Sequence, residues 1–144
     1  MPLIHVYAPV DTFAADVRDR LAEELTAIAL EVENLPMTAF DKSAVWIYFH
    51  EIPKSAVYHG GKPGGTRVIA VDVNAFEGGH DDSAKRLLYQ RFTEAIRKHT
   101  GFAVGARVPV YVLLRQVQDT NWGVFGRTTT IHEVRTPHPN EPAI

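Results

Sequence analysis

The sequence contains no cysteine and no long apolar run, and each absence excludes a class of protein. Without cysteine among its 144 residues, the chain has neither disulfide bonds nor thiolate metal ligands. No apolar stretch approaches the roughly 20 residues that a membrane-spanning helix needs. The N-terminus lacks the basic and apolar segments of a signal peptide. We therefore expect a cytoplasmic protein that does not bind membranes.

The net charge of the sequence is also small. The 15 Lys and Arg residues nearly balance the 17 Asp and Glu residues, for a net charge of -2, so the electrostatics do not favour nucleic acid as a partner. The 7 histidines are scattered without the helical spacing of a metal site. We therefore predict no metal site. The length fits one domain, which we place at residues 1–135, and the prolines that follow predict an irregular tail at 136–144.

Two β-α-β units of similar length follow one another, at about residues 2–65 and 66–127. In each unit an apolar strand leads to a helix with one apolar stripe, and a second strand follows. We expect Asp11 or Thr12 to cap the first helix, Asp81 or Asp82 to cap the second, and Gly101 to end it. The predicted strands are Pro2–Ala8, Ala44–Glu51, Val68–Val73 and Val108–Gln116, and the first helix ends near Asn34.

This order predicts an α/β (α+β) fold. Strands that are joined through a helix pair in parallel by right-handed crossovers, so we expect a four-stranded, mainly parallel sheet with both helices on one face. Short hairpin strands should follow each unit, around Val57–Gly65 and Asn121–Gly126. The other sheet face carries exposed apolar and aromatic side chains, which predicts burial against other copies of the chain; the candidates are Trp46, Tyr48, Tyr111 and Leu113.

Pro2 is the residue with the most distinctive potential chemistry. If Met1 is removed, Pro2 becomes an N-terminal secondary amine on a β-strand, and such an amine is a useful base only when its pKa falls towards neutrality. The alternative is structural, since a proline suits the first residue of a strand, where no N–H is required.

Three features together resemble the tautomerase superfamily, whose long members are two fused β-α-β units. They are Pro2 after Met1, the tandem units, and the paired segments Val57–Gly61 and Trp122–Gly126. The stretch Phe49–Pro53 is similar to part of 4-oxalocrotonate tautomerase. Asp119–Arg127 is similar to the C-terminal region of malonate semialdehyde decarboxylase, and the chain length is close to that of the cis-3-chloroacrylic acid dehalogenase group.

The resemblance implies a homotrimer in which Pro2 acts as general base, or in some members as general acid, at the floor of a small pocket. It therefore implies a cofactor-independent keto-enol tautomerase acting on a small 2-oxo acid or related carbonyl compound. The alternatives are a divergent hydratase, dehalogenase or decarboxylase, and a non-catalytic trimeric binding protein.

One departure from the family bears on the substrate. The dehalogenases and the decarboxylase grip a carboxylate with two arginines in the turn after the third strand, but the turn Asn74–Asp82 has none. Arg115 and Arg127 remain as candidate anion-binding residues, with surface or intersubunit ion pairs as the alternative, and Asn121 is a neutral donor. Trp122 and Phe125 form either pocket walls or an interface, and Asp41 is either a water-activating acid or a turn residue.

Overall fold

A four-stranded sheet with two long helices on one face forms the body of the molecule in the computed structural model, which describes residues 1–64, 67–138 and 140–144. In chain order the elements are β1 (Leu3–Pro9), α1 (Ala15–Val32), α2 (Ala39–Ser43), β2 (Trp46–Ile52), β3 (Tyr58–His59), β4 (Lys62–Pro63), β5 (Ile69–Phe76), α3 (Asp82–Thr100), β6 (Val110–Val117), β7 (Gly123–Val124), β8 (Arg127–Thr128) and α4 (Ile131–Arg135).

The strand order β2-β1-β5-β6 confirms the predicted sheet. β1 pairs with β2 in parallel and β5 pairs with β6 in parallel, whereas the central neighbours β1 and β5 are antiparallel. An approximate twofold rotation perpendicular to the sheet therefore relates the two β-α-β units. Each unit is followed by a two-strand hairpin, β3-β4 after the first and β7-β8 after the second.

The core lies between the sheet and the two long helices. Alternate residues of β1 and β5 face inward, and Ile4, Val6 and Val71 are completely buried. The stripe of α1 and the stripe of α3 meet them, with Leu25 and Phe92 also at zero exposure. Each such side chain contributes about 1.5 to 3 kcal/mol by leaving water. None of the helices in the described part of the chain is both long and apolar enough to cross a membrane.

The sheet face opposite the helices is open and aromatic, as the sequence predicts. Trp46, Tyr48, Tyr111 and Leu113 keep 45 to 79% of their surface exposed. His5 Nδ1 lies 2.8 Å from His50 Nε2 on the same face, and the rings of His5 and Tyr48 stack with centroids 5.4 Å apart. An exposed apolar surface of this kind marks an interaction site.

The caps of the two long helices differ in how well the sequence predicts them. Asp81 caps α3 by accepting a hydrogen bond from the Ala84 N–H, and Gly101 ends it with φ 73°, so those predictions are confirmed. The predicted caps of α1 are wrong. Ala14 occupies the position without a side-chain hydrogen bond, because the Thr12 hydroxyl turns back and donates to the Pro9 carbonyl at 2.6 Å while Asp11 takes φ 66°.

Two short helices, α2 and α4, were not predicted, and α2 moves the start of β2 to a later residue. α2 begins at a capping box in which Thr38 and Asp41 bond each other's backbone N–H. Its last turn continues through hydrogen bonds from the Ala44 and Val45 N–H groups to the carbonyls of Phe40 and Lys42. For that reason β2 starts at Trp46 rather than at Ala44.

Candidate active site

A cavity of about 220 Å³ opens at the start of β1, where Pro2 is buried. Trp46 contributes from β2, Trp122 and Phe125 come from the hairpin after β6, and Ile144 comes from the tail. The backbone N–H of Ile144 donates to Ser43 Oγ at 2.9 Å, so the tail folds back onto this site. The structure thus brings Pro2, Trp122 and Phe125 together, although they are far apart in sequence.

The β7-β8 hairpin holds the aromatic walls in place. A 3-10 turn at Asp119–Asn121 leads into Trp122, whose ring packs on Phe76 with centroids 4.7 Å apart. The two turn residues are Phe125 at φ 51° and Gly126 at φ 78°, a pair of left-handed conformations that suits a two-residue hairpin. A bulky residue rarely adopts positive φ, so Phe125 is held against the cavity at a conformational cost.

A second cavity adjoins the first and shares lining residues with it. Met1, Val124 and Phe125 line both spaces, and Met1 keeps only 7% of its surface exposed. The second cavity has a volume of about 260 Å³, and Arg127 and Glu133 are among its lining residues. Removal of Met1 would take away one of the three residues that line both spaces.

The N-terminal ammonium of Met1 is buried in an ion pair with Glu33. The nitrogen lies 3.2 Å from Glu33 Oε2, and the Glu33 side chain has no exposed surface. Burial lowers the pKa of this amine below its usual value, and the negative charges of Glu33 and Asp41 oppose that shift. A terminal amine at this end of β1 is thus in an environment that disfavours its protonated form.

A cluster of buried polar groups surrounds that amine. Within the described residues, the buried side-chain atoms without a hydrogen-bond partner are Glu33 Oε1, Asp41 Oδ1, His80 Nδ1 and Arg135 Nε. Arg135 donates instead through Nη2, to the carbonyls of Glu33 at 3.1 Å and Gly79 at 3.4 Å. Unpaired buried polar atoms are costly, and at least Glu33, Asp41 and Arg135 also act electrostatically on the terminal amine.

His80 lies in the turn between β5 and α3 with only 6% of its surface exposed. Burial lowers the pKa of its imidazole, while the neighbouring Glu33 carboxylate raises it. The N-terminal amine, Lys85 and Arg135 lower it further. The net shift is downward, so the neutral imidazole is favoured in the folded chain.

Three of the sequence-derived candidates lie outside both cavities. Arg115 is on the open sheet face, where its Nη1 lies 2.7 Å from Asp72 Oδ2. Asn121 is exposed at the end of the 3-10 turn. Asp41 is fully buried and belongs to the capping box of α2. The ion-pair alternative for Arg115 and the turn alternative for Asp41 both match these positions.

Sequence reasoning missed Glu33, His80 and Trp46 as site residues. A signal for Glu33 was present, because it follows the buried Ala29 by four positions and the buried Leu30 by three, which puts it on the apolar side of α1. No comparable signal marks His80 or Trp46, since their positions depend on how the turn and strand pack against the N-terminus.

The family model described as "Tautomerase enzyme" matches residues 70–130. Three solved structures share the fold. A wild-type fused 4-OT in an asymmetric trimer is 20% identical, with a TM-score of 0.73 over 88% of this chain and 94% of that one. A protein inactivated by 2-oxo-3-pentynoate is 18% identical, with a TM-score of 0.73 over 88% and 95%. A member of the cis-3-chloroacrylic acid dehalogenase family is 14% identical, with a TM-score of 0.74 over 91% and 86%.

None of the curated proteins matches the chain by sequence. At these low identities the solved structures establish a shared architecture, while the family model adds a sequence match in the second unit.

Proposed function

We propose that the chain is a long, two-unit member of the tautomerase superfamily and a cofactor-independent keto-enol tautomerase whose base is Pro2; the family model over residues 70–130 and the shared fold support this. The observation that carries the proposal is the cavity in which Pro2 lies among Trp46, Trp122 and Phe125. The proposal includes removal of Met1, because the Pro2 nitrogen is an amide until then. It also keeps the cytoplasmic location expected from the cysteine-free sequence.

The proposed reaction is the ketonisation of an enol. The neutral Pro2 amine accepts the enol O–H proton while the C=O bond forms, and the resulting ammonium returns a proton to the adjacent carbon, which regenerates the amine. An amine in a cavity with apolar walls loses hydration, which favours its neutral form at neutral pH. No further reactant is consumed.

We propose a monocarboxylate with an apolar or aromatic side chain as the substrate. Trp46, Trp122 and Phe125 offer flat apolar walls, and Arg127, which lines the adjoining cavity, is a candidate cation for one carboxylate. Arg115 is engaged with Asp72 and is a weaker candidate. Phenylenolpyruvate should therefore be turned over faster than the dicarboxylate 2-hydroxymuconate.

The test is ketonisation of phenylenolpyruvate by Met1-free protein, followed by ultraviolet absorbance. Pro2→Ala should lower kcat/KM by about 10²-fold or more, the usual contribution of a positioned base, whereas Val68→Ala, directly before β5, should not. Full activity of the Pro2→Ala variant would contradict the mechanism. Turnover of 3-chloroacrylate instead of the enol would favour the dehalogenase alternative.

A covalent probe tests the same site without turnover. Because one of the structural relatives is inactivated by 2-oxo-3-pentynoate, we expect this compound to modify Pro2, with the amine adding to the electron-poor alkyne and a proton passing to the neighbouring carbon. Mass spectrometry should find one adduct on the N-terminal peptide. A protein with neither adduct nor turnover would be the non-catalytic alternative.

We also propose that the chain forms a homotrimer through the open sheet face. The exposed aromatic residues of that face support it, and one of the relatives is a trimer. Tyr48→Glu should break the assembly in sedimentation velocity, because a charge would be buried at the interface. Leu87→Glu is the matched control, since Leu87 is exposed to a similar degree, 44% against 49%, but lies on α3. Equal behaviour of the two variants would contradict the proposal.

A further inference from the structure

We infer that Glu33 is a positioning residue for the Pro2 amine, whose ammonium form its carboxylate holds in the apolar cavity once Met1 has been removed. The inference rests on the proposed function for its catalytic meaning. Its physical content, a buried anion that stabilises a buried terminal cation, can be tested without turnover.

Glu33 lies close to the place that the Pro2 amine would occupy. Glu33 Oε2 is 3.2 Å from the Met1 nitrogen, and only three covalent bonds of about 1.3 to 1.5 Å separate that nitrogen from the Pro2 nitrogen. The carboxylate is therefore within about 7 Å of the Pro2 nitrogen without any movement. Loss of Met1 empties the space between them, which leaves room for one bridging water or for a small shift of the strand end.

The packing around Glu33 keeps its carboxylate at that end of β1. It follows α1 directly and is completely buried, and its Oε1 has no hydrogen-bond partner within the described residues. The backbone around it is closely packed, because a Cβ added at Gly79 would lie 2.8 Å from Oε1. A carboxylate so confined cannot turn to solvent when Met1 leaves, so it needs a new donor.

The surroundings of Pro2 favour an anion close by. The cavity around Pro2 has a mainly apolar lining, and the turn Asn74–Asp82 contains no arginine. Aromatic walls alone would drive the amine far towards its neutral form. The proposed reaction passes through the Pro2 ammonium, and the Glu33 carboxylate stabilises that charged intermediate in the apolar cavity.

Other charges around the amine act in both directions. Asp41 of α2 adds to the effect of Glu33, while Arg135 of α4 opposes it. His80, from the turn before α3, interacts with both Glu33 and the amine, and Lys85 of α3 acts on His80. Among these groups Glu33 makes the direct contact with the terminal nitrogen, so its removal should have the largest effect.

The experiment is a titration of the N-terminal amine of Met1-free protein carrying ¹⁵N-proline, observed by NMR. Glu33→Gln should lower the pKa of the amine by about one unit or more, the usual effect of one close opposite charge. The acidic limb of the pH profile of kcat/KM should move to lower pH with it. Glu23→Gln, at an exposed position of the same helix, is the matched control and should move neither.

A second variant covers the case in which Glu33→Gln does not fold. Arg135→Gln removes the opposing cation and should raise the pKa of the amine. An amine pKa that is the same in the wild type and in the soluble variants overturns the inference. If the pKa of the amine shifts as expected but the protein has no turnover, the inference is supported and the proposed function fails. The failure of one can therefore be told from the failure of the other.

Discussion

The two halves of the molecule build the same scaffold, but they differ at the start of their first strands. Leu3 at the start of β1 pairs with Trp46, and Ile69 at the start of β5 pairs with Val110 in the same way. A groove of about 620 Å³ lies at the start of β5, bordered by Val68, Ile69 and residues around β6. It is the counterpart of the 220 Å³ cavity at Pro2.

Two differences separate the cavity from its counterpart. Val68, which stands where Pro2 stands, is in mid-chain, so its nitrogen is an amide that cannot act as a base. The hairpins also differ, since Val57 and Gly60 of the first unit occupy the positions of Trp122 and Phe125 in the second. The duplicated fold therefore supplies two similar concave surfaces, and only one of them combines a potential amine with aromatic walls.

Retention of Met1 should make the Pro2 cavity as inactive as the groove at the start of β5. An uncleavable N-terminal extension keeps the Pro2 nitrogen as an amide. We expect kcat/KM for phenylenolpyruvate to fall by about 10²-fold or more while circular dichroism stays unchanged. Full activity in a sample whose intact mass includes the extension would contradict this comparison.

Truncation of the aromatic wall should cost stability in the second unit alone. Trp122→Ala removes a ring that packs on Phe76 and should lower the free energy of unfolding by about 2 kcal/mol, together with a higher KM. Val57→Ala in the first hairpin should cost clearly less in urea denaturation and should leave KM unchanged. Equal losses would mean that both hairpins contribute in the same way.

The two hairpin cations should differ in substrate binding. Arg127→Gln should raise KM for a carboxylate substrate about 10-fold, as expected for one lost charged hydrogen bond, while Lys62→Gln should not change it. Steady-state kinetics with Met1-free protein measures both. A KM that responds equally to the two changes would remove Arg127 from the site.

The turns at Phe125 and Gly60 should respond in opposite ways to residue exchange. Phe125→Gly relieves a left-handed conformation and should raise the free energy of unfolding by about 1 kcal/mol, although KM rises as the wall is lost. Gly60→Phe should destabilise the first hairpin. Thermal unfolding of both variants measures the difference, and a less stable Phe125→Gly protein would indicate that packing outweighs strain.

The smallest expected effect concerns pH. The pKa of His80 is lowered mainly by burial, so below about pH 6.5 the unfolded chain binds a proton that the folded chain does not. Stability should therefore fall as pH decreases from that value, and His80→Gln should lessen the fall. The exposed His132→Gln is the control, and parallel curves for wild type and His80→Gln in acid would contradict the assignment.

The parts that the sequence predicted are those governed by local patterns. The cap at Asp81, the αL residue Gly101 and the aromatic open face each depend on residue type and spacing within one element. The caps predicted for α1 were wrong because the turn before the helix engages Thr12 elsewhere: its hydroxyl donates to the Pro9 carbonyl. Likewise, α2 and α4 are only five residues each and have too few turns for a periodic signal.

The sequence by itself determined the duplicated β-α-β order, the single sheet with helices on one side, and Pro2 as the residue with the most distinctive potential chemistry, because apolar periodicity and residue chemistry do not depend on distant contacts. Only the tertiary structure decided what surrounds Pro2. The antiparallel β1-β5 pairing brings the hairpin of the second unit to the start of the first strand, and the packing of α1 sets Glu33 against the terminal amine. Contacts between residues so far apart in the chain follow from how the units pack, which no local pattern contains.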